Sequence, residues 1–302
     1  MCLSKHKCES LYSAKCWYVL LALISIFMVI QFTLNATDEH NLGDEFNSLV
    51  KEGYAQIHSG QIETALLSFK RALEEDADNL KALLGQAMIY AEQARHKDAF
   101  TTYDLITKQY PQNALAWNGR GLAAFNLENF DEALASFKMS TADQPNNGFF
   151  YESLAWTQMC RGEFEEAAES AKKAVLMYGQ AGETSLYPLL IAYFSYHESG
   201  DAYNALRMLK YANKNKSLNQ WPGPVIDYLN NEIDEAAMIS FVTSHAEETE
   251  AHAYIGFYMR LLGKTDAAQR HLNWVCNYGN KKGFEYTFAR TLQPQSKFAT
   301  VN

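Results

Sequence analysis

The chain has 302 residues, 48% of them hydrophobic and 13% aromatic, and a formal net charge of −9. That apolar content excludes a disordered chain, and 26 basic against 35 acidic side chains exclude the basic face that a nucleic-acid binder needs. Six prolines and 16 glycines are too little punctuation for many short strands, and five scattered cysteines make no disulfide scaffold.

The first element is an apolar run, WYVLLALISIFMVIQFTL, residues 17–34, without a charged residue. Eighteen residues at about 1.5 Å each give roughly 27 Å, close to the hydrocarbon thickness of a bilayer. Lys5, Lys7 and Lys15 precede the run, and Asp38, Glu39, Asp44 and Glu45 follow it. Positive charge stays on the cytoplasmic side, so the pattern predicts a cytoplasmic stub at 1–16, a transmembrane signal anchor at 17–34 and a tether at 35–45. The chain is then expected to cross the inner (cell) membrane once, with its body on the periplasmic, extracytoplasmic side. Leu34-Asn35-Ala36 is a poor small-x-small cleavage site, which favours the anchor over a cleaved, secreted or periplasmic form.

Beyond residue 45 the sequence repeats. Ala65, Ala99, Ala133 and Ala167 are spaced by 34 residues. In the same phase run a small column (Gly53, Ala87, Gly121, Ala155), an aromatic column (Phe69, Tyr103, Phe137, then Ala171) and a helix-start column (Leu49, Leu83, Trp117, Tyr151). Gly60, Ala94, Glu128 and Gly162 fall between paired helices, and Pro111-Gln112-Asn113 and Pro145-Asn146-Asn147 stop one helix and cap the next. The period predicts helical hairpins at 46–79, 80–113, 114–147 and 148–181. Two gapped copies follow at 186–219, with Gly200, Ala205 and Leu209, and at 249–282, with Gly256, Gly263, Ala268 and Leu272. Residues 220–248 break the period at Gln-Trp-Pro-Gly-Pro and read as a non-repeat helical insert. Residues 283–302 read as a capping helix and tail.

Stretches such as Gly-Gln-Ile-Glu-Thr-Ala-Leu-Leu-Ser-Phe (60–69) and Asn-Phe-Asp-Glu-Ala-Leu-Ala-Ser-Phe (129–137) resemble the tetratricopeptide repeat. The resemblance implies an all-α solenoid, a right-handed superhelix of about six antiparallel helix pairs over 46–282. Each hairpin is stabilised there by stacking on its neighbours. Trp221-Pro222, the Tyr-Leu run after it, one last repeat and the Phe-Glu-Tyr cap are similar to the C-terminal half of bacterial envelope TPR adaptors, including periplasmic TPR lipoproteins. The lipid-carrying cysteine of those lipoproteins is missing here.

No side-chain pattern for catalysis emerges. No H-E-x-x-H, G-x-x-x-x-G-K-S/T or G-x-G-x-x-G motif is present. His245, Glu248 and His252 share a helix face, but about 10 Å separates the two histidines along the axis, too far for one tetrahedral zinc. Cys2, His6, Cys8 and Cys16 match no usual zinc spacing, and His197-Glu198 has neither nucleophile nor oxyanion hole beside it. Neither enzyme activity, cofactor nor metal is expected.

In the resembled fold the first helix of each pair lines the concave face. The candidate protein- or peptide-binding residues are therefore Tyr54, Ile57, Leu84, Met88, Asn118, Leu122, Phe125, Phe149, Trp156, Met159, Tyr187, Phe194 and His197. As a solvated surface this set is strongly apolar, which marks a binding groove, a tightly closed curve or a face covered by the chain's own tail. The expectation is a membrane-tethered scaffold for envelope or membrane-proximal proteins or peptides, or else a self-assembling homo-oligomer. The Lys/Asn/Arg clamp for a C-terminal carboxylate does not start where it should, since Val50, Tyr54 and Gly85 occupy those places.

Overall fold

The computed structural model describes residues 43–217 and 220–293, with side chains from residue 48 onward. The expected stub, membrane segment 17–34, most of the tether and the tail beyond residue 293 lie outside the described residues. Among the described residues every element is a helix, and no helix is long and apolar enough to cross a membrane.

The described residues divide into two compact units, one up to residue 208 and one from residue 209, with the division inside one helix. The first unit holds α1 (Gly43–His58) with α2 (Ile62–Glu75), α3 (Leu80–Glu92) with α4 (His96–Gln109), α5 (Ala114–Asn126) with α6 (Phe130–Asp143), and α7 (Gly148–Arg161) with α8 (Phe164–Gln180). After these come α9 (Tyr187–Glu198) and α10 (Ala202–Asn215), within which the division falls. Each helix packs on the next from α1 to α9, so the hairpins stack in chain order.

The repeat columns show why. Phe69 lies between two first helices: a Cβ on Gly53 would meet its ring 2.7 Å away, and one on Gly85 would lie only 2.3 Å from the same ring. Tyr103 does the same against Gly119, and Phe137 against Gly121. Ala65, Ala99, Ala133 and Ala167 are wholly buried where hairpin backbones approach. Asn79 and Asn113 cap α3 and α5 by accepting hydrogen bonds from Ala82 N (3.0 Å) and Ala116 N (2.9 Å), and Asn147 does so for α7 from Phe149 N (3.1 Å). All four residues between paired helices are left-handed, at φ 75° for Gly60, 56° for Ala94, 59° for Glu128 and 77° for Gly162.

The second unit contains α11 (Gly223–Leu229), α12 (Glu235–Ser240), the hairpin α13 (His245–Leu261) and α14 (Thr265–Tyr278), and α15 (Phe284–Thr291). The hairpin begins four residues before the expected 249. Ser244 Oγ accepts from Glu247 N (3.2 Å), while Glu247 Oε2 accepts from Thr243 N (2.7 Å), one residue before the cap, and this reciprocal pair starts the helix early. Helix α15 packs on both α13 and α14, with Phe288 against Phe257 at 4.9 Å and Tyr254 Oη donating to Glu285 Oε1 at 3.0 Å.

Candidate functional site

Within the first unit each first helix touches the next one: α1 meets α3, α3 meets α5, α5 meets α7 and α7 meets α9. Successive second helices among α2, α4, α6 and α8 meet less than these. The first-helix side is therefore the more crowded, inner side of the stack, and all thirteen candidate residues belong to these helices.

Of the alternatives left by the sequence, an open groove or a closed or covered face, their exposure is that of a largely packed row. Leu84, Asn118, Phe125, Trp156, Met159, Tyr187 and Phe194 are buried, with Phe125, Trp156 and Met159 only 2% exposed. Tyr54, Ile57, Met88, Leu122, Phe149 and His197 are half-buried, and none of the thirteen is exposed. The physical reason is that side chains on adjoining first helices flank one another. In α7 and α9, moreover, nearly every position is buried, so these helices have no solvated face at all.

The half-buried positions carry definite polar features. Tyr54 Oη donates to Lys81 O at 2.9 Å, and its ring meets Phe69 edge-on at 5.0 Å. Burial, with a smaller contribution from Tyr103, raises its phenol pKa well above the usual 10. His197 lies 4.9 Å from Tyr193, and desolvation lowers its pKa although Glu198 opposes the shift. The buried Asn118 Oδ1 has no hydrogen-bond partner among the described residues. It is an acceptor on the inner row with its bonding capacity unused.

Two polar clusters escaped the sequence pattern. Arg120, 12% exposed, donates to Asp104 Oδ1 (2.9 Å), Glu132 Oε2 (2.8 Å) and Ser136 Oγ (2.7 Å), with its guanidinium 4.6 Å from the Phe100 ring centre. It joins α4, α5 and α6 and is structural. In the second unit His252 pairs with His271 of the following helix, Nδ1 to Nδ1 at 2.9 Å, while His245 makes only a loose 3.5 Å contact with Glu248. Helical spacing on the sequence weighed His252 only against His245 and rejected that pair; the histidine that does meet it, His271, lies across the hairpin. Among the described residues no three His, Cys, Asp or Glu side chains converge to hold a metal ion.

Residues 56–123 and 103–148 match two family models described as tetratricopeptide repeat. A curated relative, "Protein CTR9 homolog" of Arabidopsis thaliana, is 30% identical over 104 residues, which make up 34% of this chain and 10% of that protein. The chain thus spans about a tenth of that relative's length. Among solved structures, "Crystal structure of MamA protein" has a TM-score of 0.53 at 19% identity, covering 57% of this chain and 92% of that one. "MamA 41-end from Desulfovibrio magneticus RS-1" has a TM-score of 0.52 at 17% identity, covering 58% of this chain and 96% of that one. At such identities the likeness concerns the fold. Together with the family models it shows a helical solenoid that contains tetratricopeptide repeats.

Proposed function

We propose that this tetratricopeptide-repeat protein is a non-enzymatic scaffold, tethered to a membrane by residues 17–34, that binds envelope or membrane-proximal proteins along its first-helix face. The observation that carries the binding reading is the inner row itself. Half-buried Tyr54, Ile57, Met88, Leu122 and Phe149 run along α1, α3, α5 and α7, with the unused acceptor Asn118 Oδ1 among them. Part-exposed apolar side chains repeated along one face of the stack suit an apolar peptide. The tethering reading rests on the uncharged run and the charge asymmetry around it; with α1 starting at Gly43, residues 35–42 would reach at most about 29 Å, so the solenoid would begin near the bilayer.

In-cell crosslinking followed by mass spectrometry tests the scaffold. Specific partners should be recovered with the parent chain, and their yield should fall at least tenfold with Met88→Glu or Phe149→Ala. Unchanged crosslinks in both variants would refute the inner-row assignment. Protease accessibility in spheroplasts tests the tether, since the body should be cleaved from the outside.

A second reading, self-assembly, is favoured by a different observation. Leu67, Leu105, Met139, Leu176, Tyr203 and Leu206 stand exposed on second helices of the first unit, with Leu105 and Met139 one repeat apart. Light scattering on the purified protein separates the two readings. An oligomer that dissociates in Leu105→Glu/Met139→Glu supports assembly through this outer face.

A further inference from the structure

The last hairpin carries a polar cluster that the repeat columns do not require. His252 on α13 and His271 on α14 face each other with Nδ1 atoms 2.9 Å apart and ring centres 5.1 Å apart. On its far side His271 places Nε2 3.3 Å from Glu235 Oε1 on α12. His252 is stacked on Trp274, ring centres 4.0 Å apart at 19°. Both imidazoles are half-buried. The charged or titratable groups acting on the pair are Glu235 from α12, Glu248 from α13 and Arg270 from α14, while His245 approaches Trp274 at 6.4 Å.

The proton count of this pair decides its geometry. With both rings neutral, one Nδ1–H donates to the lone pair of the other Nδ1, and His271 Nε2–H points to Glu235. A first added proton can be shared across the contact, where it strengthens the hydrogen bond. A second proton leaves two N–H donors facing each other at 2.9 Å with no acceptor between them. The two like charges then repel in a half-buried setting. Burial is the main force that holds both histidines below their usual pKa. The partner imidazole adds to this at His252 and Arg270 adds to it at His271, against the opposing pull of Glu235 and Glu248.

We propose that His252 and His271 form a proton-operated latch, which fastens α12, α13 and α14 together while the pair holds at most one extra proton and releases them when the second binds. The inference is independent of the scaffold reading, because it concerns only contacts inside the second unit.

Hydrogen exchange by mass spectrometry on the full-length protein, corrected for intrinsic rates, tests it. Between pH 7.5 and pH 5.0, amides of residues 250–261 and 268–278 should lose at least tenfold protection, while those of 62–161 keep theirs. His271→Gln and His252→Gln replace one titrating ring with a neutral amide and should retain protection at pH 5.0. Glu235→Gln keeps both rings but removes the carboxylate that favours their protonation, so its midpoint should move to lower pH. The proposal is overturned if protection does not change in the parent chain, if the loss extends equally over 62–161, or if the histidine variants lose it just as the parent does. Should the histidine variants not fold, an unmoved midpoint in Glu235→Gln overturns it alone.

Discussion

The ring of Phe69 occupies the space into which a Cβ on Gly85 would project, so that a second helix of one hairpin meets the backbone of the next hairpin directly. Phe69 is fully buried at this contact, and its ring also leaves no room for a side chain on Gly53. Adjacent hairpins therefore share one aromatic wedge, and its fit depends on hydrogen atoms at two positions.

The first prediction follows from that fit. Gly85→Ala should destabilise the protein by about 1–3 kcal/mol through overpacking, and Phe69→Leu by an amount of the same order through a partly filled cavity. Combined, they should cost less than the sum of the two, because the smaller Leu makes room for the new methyl group. Urea midpoints of the four proteins give the coupling, and strict additivity would refute the wedge.

Backbone conformation provides the second. Ala94 and Glu128 are held left-handed, at φ 56° and 59°, where the equivalent Gly60 and Gly162 carry no penalty. A left-handed non-glycine residue costs about 1–2 kcal/mol. Ala94→Gly and Glu128→Gly should each raise the thermal midpoint, and Gly162→Ala should lower it. A fall in the first two would show that the loss of unfolded-state freedom in alanine or glutamate matters more than the strain.

Arg120 provides the third, through pH. Replacement by Met removes three hydrogen bonds from a site only 12% exposed and should cost about 1–3 kcal/mol at pH 7. Burial pushes the Asp104 carboxyl upward, but Lys108 and Arg120 together outweigh it, so the folded pKa lies below the usual 3.8. The unfolded chain thus binds more protons, and this contribution is present above about pH 3.8 and lost as pH falls through the folded value. The deficit of Arg120→Met should narrow between pH 5 and pH 2.5 in urea titrations, and a constant deficit would show that packing on Phe100 dominates.

Capping provides the fourth. Asn113→Ala removes the acceptor of Ala116 N and should cost about 1 kcal/mol, while Asn113→Gly should cost only a few tenths. Equal losses from the two substitutions, read from urea midpoints, would mean that the side chain acts otherwise than as a cap.

The hairpins were legible in the sequence because their columns are set by backbone approach. A glycine faces an aromatic ring, an alanine faces a backbone, an asparagine precedes the hairpins that start at 80, 114 and 148, and these recur at 34 residues. The inner row was legible as a set of positions but not in its exposure. The period says which side of a helix faces its own hairpin, and is silent on how far Phe125, Trp156 and Phe194 are flanked by adjoining first helices. A signal was present in Tyr187-Pro188-Leu189-Leu190-Ile191-Ala192-Tyr193-Phe194, which offers no polar face and so reads as a helix buried all round. The His252–His271 pair was hidden for another reason. Spacing within one helix cannot show which residue of the following helix lies opposite, and that depends on the turn at Gly263 and the helix start at Ser244.

In the first unit each hairpin leans on its immediate neighbours and on little else. Such an array has no keystone. Unravelling can start at a free end and run inward one unit at a time, and a copy gained or lost by duplication alters its length without requiring a new core.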